Sequence, residues 1–239
     1  MRKSPFSRRS CLAAAIGALA IAAIVPAASY AAEGAVVIPP PKTDVPPSSG
    51  VQTVVLAGGC FWGVQGLFQH TAGVVSAVSG YAGGSKATAQ YETVSTGTTG
   101  HAESVQVKFD PNKISYGKVL QIFFSVVTNP TELNRQGPDT GTQYRSEIFT
   151  TSDAQAKVAK AYIAQLDAAK VYHRPIVTQV SALQGFYPAE AYHQNYLTLH
   201  PYQPYIAYND IPKVENLKKL FAANYQAKPT MVDTKKLTN

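Results

Sequence analysis

The chain has 239 residues, with 21 Lys and Arg against 14 Asp and Glu for a net charge of +7, and 45% of its residues are hydrophobic. Arg2, Lys3, Arg8 and Arg9 precede residue 32 while no acid does, so the rest of the chain carries 17 basic and 14 acidic residues, a net +3. That balance, with no Lys/Arg stripe interleaved with aromatics, argues against a nucleic-acid partner, and about 200 residues suffice for one domain with a real core.

In chain order, the basic start is followed by an apolar, alanine-rich run from Leu12 to Val25 and by small residues at Ser29 and Ala31. This pattern predicts a cleavable secretory signal over residues 1–31, hence an exported protein, periplasmic or secreted, with no stable membrane insertion after cleavage. Ser7-Arg8-Arg9-Ser10-Cys11-Leu12 partly resembles a twin-arginine export signal. Residues 32–50 hold Pro39, Pro40, Pro41, Pro46 and Pro47 and predict an extended or disordered linker. A single domain is expected over 51–239. It opens with a β-branched strand over 52–57 that ends at Gly58-Gly59, followed by a helix over 61–69 with Val64, Leu67 and Phe68 at helical spacing. Strands are predicted at 73–80 and, by strict alternation, at 102–109, where Asp110-Pro111 ends the run. A helix over 115–127 stops before Pro130, and a Gly-rich polar loop occupies 131–144. A strand at 146–150, a serine-capped helix over 152–170 and a strand over 176–183 come next. The tyrosine-rich remainder is read as irregular, with a short helix near 214–225. The order β-α-β-β-α-β predicts an α+β fold: a two-layer sandwich with a mixed or antiparallel sheet, a ferredoxin-like core and irregular extensions.

Once the signal is removed, Cys60 is the only cysteine, so no intramolecular disulfide can form. It lies in Gly59-Cys60-Phe61-Trp62-Gly63, at the predicted start of a helix, where the macrodipole and unpaired N–H groups favour a thiolate. Taken alone, a free cysteine is more often a buried small hydrophobe than a nucleophile. The flanking glycines and the aromatic pair beside the sulfur point instead to a reactive thiol facing a small, partly apolar substrate. His101 and His193 are alternative bases for Cys60, which would make a Cys/His hydrolase or acyltransferase. A non-catalytic thiol redox sensor is the third reading. Five scattered histidines and one cysteine offer no zinc-ligand spacing.

Five segments then occur in a telling order: 59–63 (GCFWG), 80–84 (GYAGG), 100–103 (GHAE), 135–146 (RQGPDTGTQYRS) and 189–194 (AEAYHQ). They resemble peptide methionine sulfoxide reductases of the A type, and the resemblance runs from about residue 51 to about 213. It implies thiol-dependent reduction of methionine S-sulfoxide, free or in proteins, through a cysteine sulfenic acid. It implies Cys60 as nucleophile and Glu103 as the acid that protonates the sulfoxide oxygen. Phe61 and Trp62 would hold the methyl group, Tyr81 and Tyr144 would hydrogen-bond the oxygen, and Asp139 would shape the pocket. The residue types suit the reaction, because a sulfoxide sulfur is a poor electrophile until its oxygen is protonated. No bound cofactor or metal is expected, only an external thiol reductant of thioredoxin, glutaredoxin or small-thiol type, and a monomeric enzyme.

The chain departs from the resembling family in two places. The C-terminal cysteines with which many members resolve the sulfenic acid are absent, so an outside thiol must attack Cys60 directly. Thr128-Asn129-Pro130-Thr131 also replaces the family's usual His-Asp-Pro-Thr.

Overall fold

The computed structural model describes Met1 and residues 34–46 and 49–237; apart from Met1, the predicted signal segment lies outside the described residues. Eight strands and six α-helices are named in chain order: β1 Gln52–Gly58, α1 Phe61–Gln69, β2 Val74–Ala82, α2 Tyr91–Val94, β3 Ala102–Phe109, α3 Tyr116–Ile122, β4 Arg135–Gln136, β5 Asp139–Thr140, β6 Ser146–Thr150, α4 Asp153–Ala168, β7 Gln179–Ala182, β8 Phe186–Pro188, α5 Tyr196–Leu199 and α6 Ile211–Leu220.

The main sheet runs β7-β6-β1-β3-β2-β8. Its centre, β6-β1-β3-β2, is antiparallel throughout, with β3 inserted between β1 and β2. This is the split β-α-β arrangement of a ferredoxin-like core. A parallel β7 and an antiparallel β8 extend it at the two edges, making the sheet mixed. The α+β expectation is therefore met.

Alternation along β1 divides its side chains between two apolar clusters. Val54 and Leu56 join the large core with Leu67, Phe68, Val119, Leu120 and Leu166 from the helices. Val55 and Ala57 join Ala82, Ala102 and Phe149 on the opposite face. The same period-2 rule puts Glu103 on the side of Val105 and Val107, toward the helices.

The predicted helix over 115–127 is α3 followed by a wider π turn, Phe123–Val127. The Ser115 side chain caps its start, accepting from the Lys118 N–H at 3.2 Å. The polar loop over 131–144 contains the small antiparallel ribbon β4-β5 and a 3-10 turn at Thr142–Tyr144.

The proline-rich stretch corrects the expectation of a free linker. It is extended, but over residues 36–44 it lies strapped across the helices. Ile38 is buried in the core. Prolines present carbonyls and no N–H, so side-chain donors from the domain satisfy them. Tyr162 Oη donates to the Pro39 carbonyl at 2.7 Å and Gln165 Nε2 to that of Pro40 at 2.9 Å. Gln121 Nε2 donates to the Ile38 carbonyl at 2.9 Å, and the Gly117 N–H donates to Asp44 at 2.8 Å.

Candidate active site

The strand-to-helix turn that presents Cys60 depends on two glycines. Gly59 has φ +94, in the left-handed region, and a Cβ there would lie 2.6 Å from the Gln136 side chain. Gln136 itself is tied to the Thr128 hydroxyl and to the Asn129 N–H, so the ribbon locks against the turn. Cys60 is the N-cap residue of α1, yet no side-chain cap closes this helix end. Glu103 takes over that task across 42 residues, accepting the Phe61 N–H at 3.0 Å through Oε2.

The Glu103 carboxyl is thus tied to the helix start next to Cys60 by one hydrogen bond from the backbone of Phe61. Glu103 is 3% exposed. Burial pushes its carboxyl up to about 8 despite the bond from Phe61, and Asp139 and Asp210 push the same way. Glu103 therefore keeps its proton near neutrality, and Oε2's engagement with Phe61 leaves Oε1 to carry it.

Cys60 does not follow the thiolate expectation. Burial raises its thiol, and the carboxyl groups of Glu103 (once it has lost its own proton), Asp210 and Asp139 add to the rise; the Trp62 N–H opposes them. Helix-end polarisation is a local, modest effect, and here desolvation with these carboxyl neighbours outweighs it. Cys60 therefore favours the thiol form.

Phe61 and Trp62 sit in a cluster of aromatic rings whose other members the sequence did not reveal. Phe61 is fully buried, its ring 5.0 Å from that of His193 and 5.9 Å from that of Tyr81. Trp62 stacks on Tyr196 at 3.9 Å with ring planes 10° apart, and Tyr205 meets it edge-on at 6.0 Å. The indole N–H donates to His193 Nδ1 at 3.1 Å. Burial lowers the His193 pKa, which keeps that nitrogen a neutral acceptor. His101 accepts the Gly84 N–H at Nδ1, 3.2 Å away, and its Nε2 faces the Ser85 carbonyl at 2.9 Å. His101 thus has a partner at each ring nitrogen, whereas His193 is engaged at Nδ1 and its buried Nε2 has no hydrogen-bond partner among the described residues.

Tyr81 departs from its expected role. It faces Glu103 in the register of β2 and β3, but its hydroxyl donates to Glu190 Oε2 at 2.8 Å. A proton already given to a carboxylate is not available to a sulfoxide oxygen. Tyr91 lies beside Tyr81 at the same carboxylate: its backbone N–H donates to Glu190 Oε1 at 2.9 Å, its ring lies 4.5 Å from that of His193, and burial raises its pKa, so its hydroxyl stays protonated. Tyr144 shares that environment with Glu103, Asp139 and Cys60, and burial raises its pKa, so its hydroxyl stays protonated. Asp139, raised by burial, accepts the Tyr205 hydroxyl. Tyr91 opens a short helix in a polar stretch and carried no signal in the sequence beyond its residue type; Tyr205 and Asp210 lay in the segment read as irregular.

A family model described as peptide methionine sulfoxide reductase matches residues 52–225. The chain belongs to that family. It is 61% identical over 183 residues to a peptide methionine sulfoxide reductase of Mesorhizobium japonicum, covering 77% of this chain and 94% of that protein. A Synechocystis reductase of the same name is 45% identical over 195 residues, with 80% and 91% covered. Among solved structures, Mxr1 from Saccharomyces cerevisiae in reduced form superposes with a TM-score of 0.59 at 33% identity, covering 68% of this chain and 92% of that one. Methionine sulfoxide reductase A of Corynebacterium diphtheriae gives 0.56 at 35% identity, covering 65% and 78%. As a member of this reductase family, the chain reduces methionine sulfoxide by thiol-dependent oxidoreductase chemistry.

Proposed function

We propose that Cys60 and Glu103 carry out this reduction as nucleophile and acid, with Tyr91 and Tyr144 as the oxygen's hydrogen-bond donors. The observation that carries the assignment is the bond from the Phe61 N–H to Glu103, which seats a protonated acid beside the sulfur at the helix start. The substrate's S-methyl group rests against Phe61 and Trp62. Glu103 Oε1 gives its proton to the sulfoxide oxygen while the Cys60 sulfur attacks the sulfoxide sulfur and passes its own proton to the Glu103 carboxylate. The hydroxyl group then moves to the Cys60 sulfur as the new S–S bond and the original S–O bond break, so Cys60 becomes a sulfenic acid and methionine leaves with the lone pair restored on its sulfur.

With only Cys11 and Cys60 in the chain, and Cys11 inside the predicted signal, no second thiol of the mature protein resolves the intermediate. One external thiol attacks Cys60, forming a mixed disulfide and releasing water. A second thiol frees Cys60 and leaves as the oxidised disulfide. The basic and apolar N-terminal pattern supports an exported, periplasmic or secreted enzyme acting on free or protein-bound methionine sulfoxide.

The test is incubation of the purified protein with each epimer of methionine sulfoxide and dithiothreitol. Methionine is expected from the S epimer and none from the R epimer; no methionine from the S epimer refutes the proposal. Trapping a sulfenic acid on Cys60 after sulfoxide addition, with no peroxide present, separates this chemistry from acyl transfer and from thiol sensing.

A further inference from the structure

The site holds one carboxylate for which the reaction has no use so far. Asp210, at the end of the π turn Ile206–Asp210 that leads into α6, is fully buried. Its carboxyl group presses on the first turn of α1: a Cβ at Gly63 would overlap Oδ1 and lie 2.6 Å from Cγ. Lys213, one turn along, holds Oδ1 at 3.3 Å, with only 12% of its side chain exposed. Oδ2 has no hydrogen-bond partner among the described residues. A buried, half-satisfied carboxylate against the nucleophile's helix is costly. A purely structural brace would need neither the charge nor the unpaired oxygen.

We propose that Asp210, clamped by Lys213 against the first turn of α1, is a positioning residue for the reaction, whose buried charge keeps Cys60 protonated in the substrate-free site. The charged and titratable groups around it define that field. Lys213 faces Asp210 from α6, Asp139 faces it from β5, and the Cys60 thiol faces it from the start of α1. Cys60 is also faced by Glu103 from β3, by Asp139, and by the Tyr91, Tyr144 and Tyr205 hydroxyls. Burial pushes Asp210 up to about 6, with Lys213 opposing the rise, so the carboxylate is ionised at neutral pH. Lys213 also steadies the charge of Asp139, so one ammonium ties together two walls of the site.

The proposal rests on the reductase reading for its purpose. Thiolates, not thiols, are oxidised by peroxide, and a lone cysteine without a resolving partner proceeds toward irreversible sulfinic acid. Holding Cys60 as a thiol between turnovers protects it in an oxidising setting.

The experiment measures iodoacetamide alkylation of Cys60 against pH in the substrate-free full chain, reading the Cys60 peptide by mass spectrometry. Asp210→Asn removes the charge while keeping the shape, and is expected to speed alkylation at neutral pH by about tenfold, one unit of thiol pKa. Lys213→Gln leaves the carboxylate uncompensated and is expected to slow alkylation severalfold at pH values where Asp210 is ionised. Opposite signs are the signature of an electrostatic role. A structural role would loosen the site in both variants and move them the same way, which overturns the proposal, as does an unchanged profile in Asp210→Asn. Should Asp210→Asn not fold, Lys213→Gln decides alone: slower alkylation supports the proposal, and unchanged or faster alkylation overturns it. No sulfoxide is involved, so the outcome is independent of whether the reductase reaction itself is found.

Discussion

Glu103 on β3 accepts the main-chain N–H of Phe61, the first residue of α1 and the neighbour of Cys60, whereas the opposite wall of the site is assembled largely from side chains on short elements toward the C-terminal end. Tyr205 reaches Asp139 across 66 residues, and Trp62 reaches His193 across 131. The first half inherits its precision from β3 and α1, which the core fixes. The second half depends on mutual contacts among Trp62, Tyr196, Tyr205, Asp210 and Lys213, which come from α1, α5, the turn leading into α6 and α6 itself. In the proposed reaction the sheet side places the chemistry and the tail side encloses it.

Six substitutions test that division, in order of expected effect. Cys60→Ser is expected to abolish methionine formation while circular dichroism stays native; turnover above background would dismiss Cys60 as nucleophile. Glu103→Gln keeps the acceptor for the Phe61 N–H but removes the proton, and should lower kcat by about 10²- to 10⁴-fold. In the wild-type enzyme turnover should fall as pH rises through about 8, where Glu103 loses its proton. That limb should be missing from the residual activity of the variant.

The same shift has a stability consequence with a definite sign. The folded-state pKa of Glu103 lies above its unfolded value of 4.5, so the native state holds the proton more tightly. Its stabilising contribution is complete below 4.5 and is lost as pH rises toward about 8. Denaturant titrations should show a fall over this window in the wild type and a shallower one in Glu103→Gln.

Next in size, Tyr91→Phe and Tyr144→Phe should each lower kcat about tenfold, the equivalent of one hydrogen bond of about 1.4 kcal/mol in the transition state. Tyr81→Phe should leave kcat nearly unchanged and lower stability by about 1 kcal/mol through loss of its bond to Glu190. Equal kinetic losses in all three would erase the distinction drawn between Tyr81 and Tyr91. The smallest effect on activity is expected from Ile38→Ala in the proline-rich strap. It should reduce stability by about 2 kcal/mol, seen as a lower Tm, with kcat intact, because the strap grips α3 and α4 and touches no reacting group.

Much of this was legible in the residues. Period-2 alternation located β3 and put Glu103 on its inward face; helical spacing and the paired glycines located Cys60 at the start of α1; and the five ordered motifs gave the chemistry. The proline-rich strap was misread because composition reports the extended conformation of a segment but not whether Tyr162 and Gln165, more than 120 residues away, will satisfy its carbonyls. Tyr81 was misassigned because two tyrosines flank the acid's strand and only the position of Glu190 shows which hydroxyl is already engaged.

Local periodicity and residue counting are enough for the α+β order and for the expectation of a lone reactive cysteine served by an outside thiol. Tertiary structure alone decided the protonation of the site. Whether a thiol at a helix start ionises, and whether a carboxyl keeps its proton at neutrality, depends on burial and on which charges converge from distant parts of the chain. Here Asp139 and Asp210 meet a protonated Glu103 around Cys60, and desolvation together with the surrounding charge prevails over the helix end.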